Sequence, residues 1–415
     1  MGTRQATPSP RTANLALATL FAGMFVMGST ELLVVGVLNL IATDLRISIP
    51  AAGALVTAYA LGLALGGPIL TALTIKRDRR TVLVGALILF IVTTLVAVLT
   101  SSYALLLVAR TLTGAVQGTF IAAAFVAGGA VVPPARTGRA IAVVISGVTV
   151  SGAMGVPLGT LVGQALGWRG SFAAAVVLAV IALVATLALV PSVPSTGGGA
   201  ASQLRYAFAP RVLAVLALTF LAFASLYAAL TYIVPFLETV TGVSGGLISV
   251  FLLAYGVATA VGSFGGGRFA DADAARTLVL ATCGLAVSLL VLYLVGTIAV
   301  LVALVLLASG LFAMGMAPSM QYRVVSLAGP GGAFAQSLPA SAANVGIAFG
   351  SLVGGLAISG FSASAAVLAG LAIAVIAIPV AAASSVLKPP AAEEAAGPAP
   401  AAATVASRAC VGAAA

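Results

Sequence analysis

The chain of 415 residues contains no histidine and only two cysteines, Cys283 and Cys410. The lack of histidine excludes any catalytic dyad or metal site that depends on an imidazole. The cysteines stand too far apart in the sequence for a zinc-binding motif, and two cysteines make no disulfide framework. We therefore predict that the protein holds neither a metal ion nor a cofactor.

Charged residues are also scarce. They make up 6% of the chain, against 62% hydrophobic residues, and the mean hydropathy is +1.24. A soluble domain carries about 25% charged residues, so this chain has too little charge to cover a surface in water. We predict that lipid is its main solvent. The net charge of +10 then belongs in loops on the cytoplasmic side of a membrane, and we expect no nucleic-acid partner.

Long apolar runs, by contrast, are abundant. A bilayer-spanning helix needs about 20 apolar residues, and the sequence offers twelve such runs. They are 15–42, 51–75, 82–100, 103–129, 139–163, 171–190, 212–236, 247–267, 277–297, 298–320, 333–358 and 363–386. The runs predict an all-α membrane protein with twelve transmembrane helices in two pseudo-symmetric six-helix bundles.

The connections between the runs set the predicted domain boundaries. The longest connection is rich in Pro, Gly and Ser and reads as a flexible linker between halves. The Ala- and Pro-rich carboxyl terminus is predicted to be disordered. The predicted parts are a cytoplasmic amino terminus 1–14, a first bundle 15–190, a cytoplasmic linker 191–211, a second bundle 212–386 and a disordered cytoplasmic tail 387–415.

The basic residues fall almost entirely on one side of these helices. With the amino terminus inside, fifteen Lys and Arg residues lie in inward loops, and only Arg46 and Arg169 lie in outward ones. Cytoplasmic loops carry such an excess of basic residues. We therefore predict a multi-pass protein of the cell (inner) membrane with both termini in the cytoplasm.

A short repeat links the two predicted halves. The fifth run contains "GVPLGTLVG" from Gly155, and the eleventh contains "GIAFGSLVG" from Gly346, so the glycines match at a constant offset of 191. The repeat favours an internal duplication. The alternative is coincidence, because glycine at every fourth position is also a general device of helix packing in membranes.

Two charged residues lie inside apolar runs, namely Glu31 and Arg110. A charge at the bilayer centre costs about 3 kcal/mol on insertion scales. Glu31 is too far from either end of its run for its short side chain to reach water. Desolvation favours its neutral form, which suits a site that loads and releases protons, although a structural hydrogen-bonding acid is the alternative. Arg110 either takes part in such coupling or snorkels to the outer surface.

Three stretches resemble one family of transporters. The first helix, "GSTELLVVGVLNLIATDL", is similar to that family's pattern at Glu31 and Asp44, with Asn39 where the family usually has proline. The fifth, "GVTVSGAMGVPLGTLVGQALGWRGSF", resembles its antiporter motif. The loop "TALTIKRDRR" resembles its cytoplasmic signature, with Ile75 at the usual aspartate position. Over residues 15–386 the chain is thus similar to the major facilitator superfamily, in particular to drug–proton antiporters of the chloramphenicol-resistance and arabinose-efflux type.

The resemblance implies roles for particular residues. It implies that Glu31 and Arg110 couple proton binding to substrate transport. The residues of the implied antiporter motif are Gly147, Gly152, Gly155, Pro157, Gly159 and Gly163. The residues of the implied cytoplasmic gate are Arg79, Arg80, Gly267, Asp271 and Arg276. For those arginines the alternative is that they only set the orientation in the membrane.

Further polar and soft side chains in the runs are candidates for a substrate cavity. They are Tyr227, Tyr232, Asn344, Gln117 and Met154. Tyrosine and methionine also pack between helices, so each has a structural alternative. A cavity with one acid, tyrosines, amides and a thioether suits an amphiphilic neutral or singly cationic compound. It does not suit a phosphorylated one, which would need several basic groups.

The sequence has no phosphate-binding loop of the Walker type, so we expect the proton gradient to supply the energy. The predicted function is proton-coupled export of a small amphiphilic compound, with chloramphenicol-like drugs as candidates, by a monomer in the lipid bilayer. It is not an enzyme on this prediction. A sugar or metabolite exporter of the same superfamily is the first alternative, and a transport-inactive membrane sensor is the second.

Overall fold

The protein is almost wholly helical in the part of the chain that the structure describes. The structure is a computed structural model, and it describes residues 10–74, 76–133, 136–193, 209–329, 335 and 338–389, without the side chain of Asp271. No strand occurs within these ranges. Residues 1–9 of the predicted amino terminus, most of the predicted linker and most of the predicted tail lie outside the described residues, and residues 10–14 already belong to the first helix.

Eleven helices among the described residues are long and apolar enough to cross a membrane. This confirms the all-α membrane fold. The helices are Arg11–Gly36, Ile49–Thr74, Arg79–Leu99, Tyr103–Ala130, Arg139–Leu189, Pro210–Leu230, Gly246–Ala270, Ala272–Leu294, Ala299–Ala328, Leu338–Gly360 and Ala363–Ser385.

The fifth of these helices makes two crossings. Arg139–Leu189 has 51 residues and would be about 75 Å long at 1.5 Å per residue, more than twice the hydrocarbon thickness of a bilayer. Its backbone leaves the helical conformation at Gly167, where φ is 76° and ψ is 163°. That positive φ favours glycine. We therefore number residues 139–166 as the fifth span and 168–189 as the sixth, which makes twelve spans in all.

Polar residues in the short connections start several spans. Ser48 accepts a hydrogen bond from the backbone of Ala51 at the start of the second span. Asp78 does the same for Thr81 at the start of the third, and Ser102 for Leu105 at the start of the fourth. These caps satisfy amide groups that have no partner within the helix. The sequence thus fixes where these three spans begin.

The first span differs from the single run predicted from the sequence. Its helix is Pro10–Gly36, it is interrupted at Val37, and it resumes as Leu38–Leu45. Asn39 lies within the resumed helix. The interruption therefore occurs although no proline stands at position 39. The seventh span is interrupted in a similar place, because Pro210–Leu230 is followed by the short helix Ile233–Phe236.

The repeat glycines let the fifth and eleventh spans approach their neighbours closely. A Cβ atom added at any of these six glycines would lie within 2.6 Å of an atom of the neighbouring span. In the first set, Gly155, Gly159 and Gly163 face Ser29, Leu33 and Val37, whereas in the second, Gly346, Gly350 and Gly354 face Phe220, Ala224 and Ala228. Each contacted residue in the second set follows its counterpart by 191 positions, as the glycines do. The sequence repeat therefore corresponds to a repeated helix–helix contact.

This contact predicts a strong effect of one added methyl group. In Gly350→Ala the new Cβ would lie 2.1 Å from the carbonyl oxygen of Ala224. We expect a loss of about 1–3 kcal/mol of stability, the usual cost of overpacking, seen as a lower midpoint of thermal unfolding in detergent. Gly85→Ala is the matched control, because nothing lies within 4 Å of a Cβ at that position. An unchanged midpoint for Gly350→Ala would contradict the close contact.

Candidate functional site

A cavity of about 230 Å³ lies between the helices that precede and those that follow the long connection. Its wall is formed by the first, fifth, seventh, eighth, tenth and eleventh spans. Most of the lining is apolar, with a few polar groups among it, which is the usual composition of a small-molecule site. The polar lining residues are Glu31, Thr149, Ser151, Tyr227, Tyr255, Thr259, Ser263 and Asn344.

Glu31 contributes the carboxylate of this cavity. Gln117 of the fourth span donates a hydrogen bond from Nε2 to Glu31 Oε2 at 2.7 Å. The hydroxyl of Tyr59 donates in turn to Gln117 Oε1. Gln117 and Tyr59 are each 1% exposed, so they hold the carboxylate from behind while Glu31 faces the cavity. The arrangement fixes the position of the acid and leaves it open to a substrate.

Arg110 is buried and does not snorkel. It is 2% exposed, and its guanidinium donates to the backbone carbonyls of Thr30 at 2.9 Å and of Glu31 at 3.2 Å. It also lies 4.1 Å from the ring centroid of Tyr59, a distance typical of cation–π contacts. Among the described residues Arg110 makes no ion pair with the Glu31 carboxylate. The guanidinium charge of Arg110 therefore lies near the Glu31 carboxylate, and backbone carbonyls of the first span hold it there.

The predicted cavity residues divide into three groups. Tyr227 and Asn344 line the cavity. Gln117 does not line the cavity; it lies behind Glu31 and donates a hydrogen bond to the Glu31 carboxylate. The structure places the other two elsewhere: Tyr232 is 1% exposed and donates to the carbonyl of Ser351, and Met154 is 53% exposed on the outside of the fifth span.

Local breaks in the helices explain these two differences. Tyr232 lies beyond the end of the helix Pro210–Leu230 that carries Tyr227, just before the short helix Ile233–Phe236. Met154 lies within the π-helical turn Ser151–Gly155, where the rotation of side chains about the axis departs from that of an α-helix.

Sequence reasoning missed two tyrosines of the site. Tyr255 lines the cavity from the eighth span, and Tyr59 supports Gln117 from the second. Both belong to the dipeptide Ala-Tyr, at 58–59 and 254–255, about ten residues after the start of equivalent spans. That recurrence in the two halves was the available signal.

The glycines of the predicted antiporter motif have two different surroundings. Gly147, Gly155, Gly159 and Gly163 all face the first span. Gly152 instead lines the cavity and contacts the eighth span, where a Cβ on Gly256 would lie 2.3 Å from its carbonyl oxygen. Pro157 is buried just after the π-helical turn Ser151–Gly155. The motif thus positions the fifth span against the first span and, at Gly152, against the eighth span of the other half.

Hydrogen bonds join the two halves at one end of the bundle. We call this end, opposite the basic loops, the outer end. Asn39 Nδ2 donates to Glu238 Oε2, and Gln164 Nε2 donates to the carbonyl of Gly245 at 2.9 Å. Nearer the centre, Ser351 donates to the carbonyl of Gly53 at 3.0 Å. These contacts close the cavity from the outer end.

The predicted gate residues lie at the opposite end, where the described ones bind within their own half. The Arg80 guanidinium donates to the carbonyl of Leu187, at the end of the sixth span. The Arg79 amide donates to the carbonyl of Val193. The Arg276 amide donates to Asp273 Oδ1 at 2.9 Å. Gly267 has open space where a Cβ would point, and the side chain of Asp271 lies outside the described residues.

Asp44 and the residues after Gly167 form a cluster at the outer end. Arg169 makes an ion pair with Asp44, and the indole of Trp168 donates to Asp44 at 3.0 Å. Arg169 also donates to the carbonyls of Val98 and Thr100. Hydrogen bonds from Arg169 and then from Trp168 hold the pKa of Asp44 below its ordinary value. The cluster ties the first, third and sixth spans together.

Comparisons with known proteins agree with this architecture. Residues 19–331 and 215–412 match the family model described as Major Facilitator Superfamily. The chain belongs to the major facilitator superfamily. It is 34% identical over 350 residues to the MFS-type transporter YtbD of Bacillus subtilis, covering 82% of this chain and 88% of that protein.

Two further similarities are informative. A chloramphenicol resistance protein of Streptomyces lividans is 30% identical over 344 residues, covering 82% of this chain and 88% of that protein. Among solved structures, a bacterial homologue of the human lysosomal transporter Spinster, in an inward-facing and occupied conformation, has a TM-score of 0.74 at 17% identity, covering 91% of this chain and 97% of that one. The second similarity supports the fold alone. As a major facilitator protein, this chain is a multi-pass membrane transporter of small molecules.

The Asp44 cluster predicts a pH-dependent contribution to stability. Because folding lowers the pKa of Asp44 from its ordinary value of 3.8, the ion pair stabilises the protein at neutral pH, and this stabilisation is lost as pH falls below about 4. Asp44→Asn should cost about 0.5 kcal/mol at pH 7, the scale of exposed pairs.

The measurement is the difference in unfolding midpoint between wild type and Asp44→Asn at several pH values. The difference should shrink as the buffer becomes acidic. Arg46→Gln, which alters an exposed charge of the same loop, is the control and should leave the midpoint unchanged. A difference that grows toward acid pH would contradict the ion pair.

Proposed function

We propose that this major facilitator protein exports a small amphiphilic compound in exchange for protons, and that Glu31 carries the proton. The observation that supports this most directly is the placement of Glu31 on the cavity wall, held by Gln117 and close to the buried Arg110. The Glu31 carboxylate faces the cavity and is also held by buried side chains, so it can bind substrate and proton in turn. Substrate and proton then compete for the same group.

The charge of Glu31 would change the affinity of the cavity. An ionised carboxylate in an apolar wall is costly unless it is paired, so a substrate that offers a cation or a hydrogen-bond donor stabilises it. Protonation neutralises the carboxylate, which then no longer needs a partner, and substrate binding becomes weaker. Binding of a proton from outside would therefore release the substrate, which is what exchange requires.

Arg110 would keep the acid ionisable. Its guanidinium is fixed by two backbone carbonyls and by the Tyr59 ring, so its position depends on the packing of the first, second and fourth spans. A change in the side-chain conformation of Glu31 between two states would change the distance between the fixed guanidinium and the carboxylate. The proton affinity of Glu31 would then differ between those conformations, and this difference couples protonation to transport.

Alternating access supplies the movement. The outer contacts between the halves, such as Asn39 with Glu238, must break before the cavity can open outward. The basic loops stay within their own halves, so each half can move as a body. We further propose that the protein works as a monomer of two six-helix halves, with its termini in the cytoplasm, because the basic residues lie on that side.

The candidate substrates are chloramphenicol-like drugs. Two findings support this choice: the 30% identity to the chloramphenicol resistance protein of Streptomyces lividans, and a largely apolar cavity with one acid and several hydroxyl and amide groups. A phosphorylated substrate would require basic groups on the wall, and none is present among the described residues that line the cavity.

Replacement of the acid tests the proton-carrier role. Glu31→Gln keeps the shape but loses the exchangeable proton. Expression in an efflux-deficient host should then give no more resistance to chloramphenicol than the empty vector, and everted vesicles should show no substrate-induced proton release. Glu393→Gln, an acid of the carboxyl-terminal segment, is the control. Full resistance from Glu31→Gln would exclude the role, and a wild type that confers no resistance would favour export of a metabolite.

A cross-link tests the outer closure. In a background with both native cysteines replaced by serine, Asn39→Cys with Glu238→Cys should form a disulfide that joins the halves. Oxidation should reduce transport to background, and a reductant should restore it. The control pair is Asp44→Cys with Arg169→Cys, which joins two residues of one half and should leave transport intact. Transport by the cross-linked Asn39/Glu238 pair would contradict an outer gate at this contact.

A further inference from the structure

The eleventh span carries a buried amide with an unused acceptor. Asn344 is 8% exposed and lines the cavity. Its Nδ2 donates to the carbonyl of Ala340 at 2.9 Å, one turn earlier. Since a carbonyl only accepts, this bond fixes which atom of the amide is nitrogen. The other atom, Oδ1, is buried and has no hydrogen-bond partner among the described residues.

Two tyrosines on the same side of the cavity have free hydroxyl groups. Tyr227 and Tyr255 line the cavity from the seventh and eighth spans and are 5% and 8% exposed. Neither hydroxyl bonds to another group in the part of the chain that the structure describes. By contrast, the hydroxyls of Tyr59 and Tyr232 both have partners. This side of the cavity wall thus carries two tyrosine hydroxyls and one amide oxygen that make no hydrogen bond among the described residues.

Leaving a polar atom unpaired in a buried place is costly, so in a native protein such an atom calls for an explanation, and at the wall of a cavity a bound partner is one. The Asn344 oxygen can only accept, so its partner must be a donor. The tyrosines can donate or accept. On the opposite wall the Glu31 carboxylate also accepts, and it already receives one bond from Gln117.

We propose that Asn344, with Tyr227 and Tyr255, forms a subsite that recognises hydroxyl donors of the substrate. The inference rests on the proposed function and narrows it. The substrate class becomes amphiphiles that carry an apolar ring and at least one hydroxyl group on the side facing the second half. Glu31 meets the substrate from the first half, so both halves contact it. A compound without hydroxyl donors would leave the Asn344 oxygen unpaired and would bind more weakly.

The test uses two probes and two variants. The probes are chloramphenicol, which has two hydroxyl groups, and its di-O-methyl ether, which keeps the ring and the lack of charge but donates no hydroxyl hydrogen. The variants are Asn344→Leu, which removes the acceptor and keeps a side chain branched at Cγ, and Val345→Leu, which alters an exposed apolar side chain of the same helix. Affinities are measured on the full-length protein in nanodiscs, with unfolding midpoints to show that each variant is folded.

We expect Asn344→Leu to weaken chloramphenicol binding at least tenfold and to change binding of the ether less than threefold. Val345→Leu should change neither by more than about threefold, because that exposed side chain does not line the cavity. Equal losses for both probes in Asn344→Leu would overturn the subsite, because the residue would then act through shape alone. A water molecule that bridges Asn344 and the substrate would also give equal losses, and it too would contradict direct recognition of a hydroxyl group. If the wild type binds neither probe, the substrate class is wrong and both proposals fall.

Discussion

The buried guanidinium of Arg110 is the interaction on which the site depends. A cation inside a helical bundle is costly unless polar groups surround it, and here the backbone carbonyls of Thr30 and Glu31 accept hydrogen bonds from its two terminal nitrogens. This locks the first span to the fourth at the level of the carboxylate. The Tyr59 ring covers the guanidinium, so the second span joins the same contact. Glu31 can therefore face the cavity because its own backbone is held by another residue.

Glycine packing provides the complementary property, which is freedom to move. In lipid there is no hydrophobic force between helices, so close backbone approach carries much of the association energy. The glycines at 155, 159 and 163, and those at 346, 350 and 354, give smooth contacts along the first and seventh spans. Such contacts hold two helices together without interlocking large side chains. The hydrogen bonds of Arg110 therefore hold the first span to the fourth, whereas the glycine contacts allow the first span to slide against the fifth.

Most of the fold could be predicted from the sequence, because hydropathy and charge act over whole helices. The twelve runs follow from the length that a bilayer demands, and the break at Gly167 falls between two of them. The position of individual side chains was harder to predict. Tyr227 lines the cavity, whereas Tyr232 and Met154 lie elsewhere, since the direction of a side chain depends on the local rotation about the helix axis. A π-helical turn at Ser151–Gly155 shifts that rotation, and no hydropathy pattern reveals it.

Contacts between distant segments were beyond sequence reasoning for a different reason. The pairing of Asp44 with Arg169 joins residues 125 positions apart, and only the packing of the first, third and sixth spans brings them together. Asn39 is a similar case. A proline at that position has no amide and no side-chain donor, whereas the asparagine reaches Glu238 across the gap between the halves. A departure from a family's usual residue can therefore mark a new contact, and here that contact lies where the two halves must separate for the cavity to open outward.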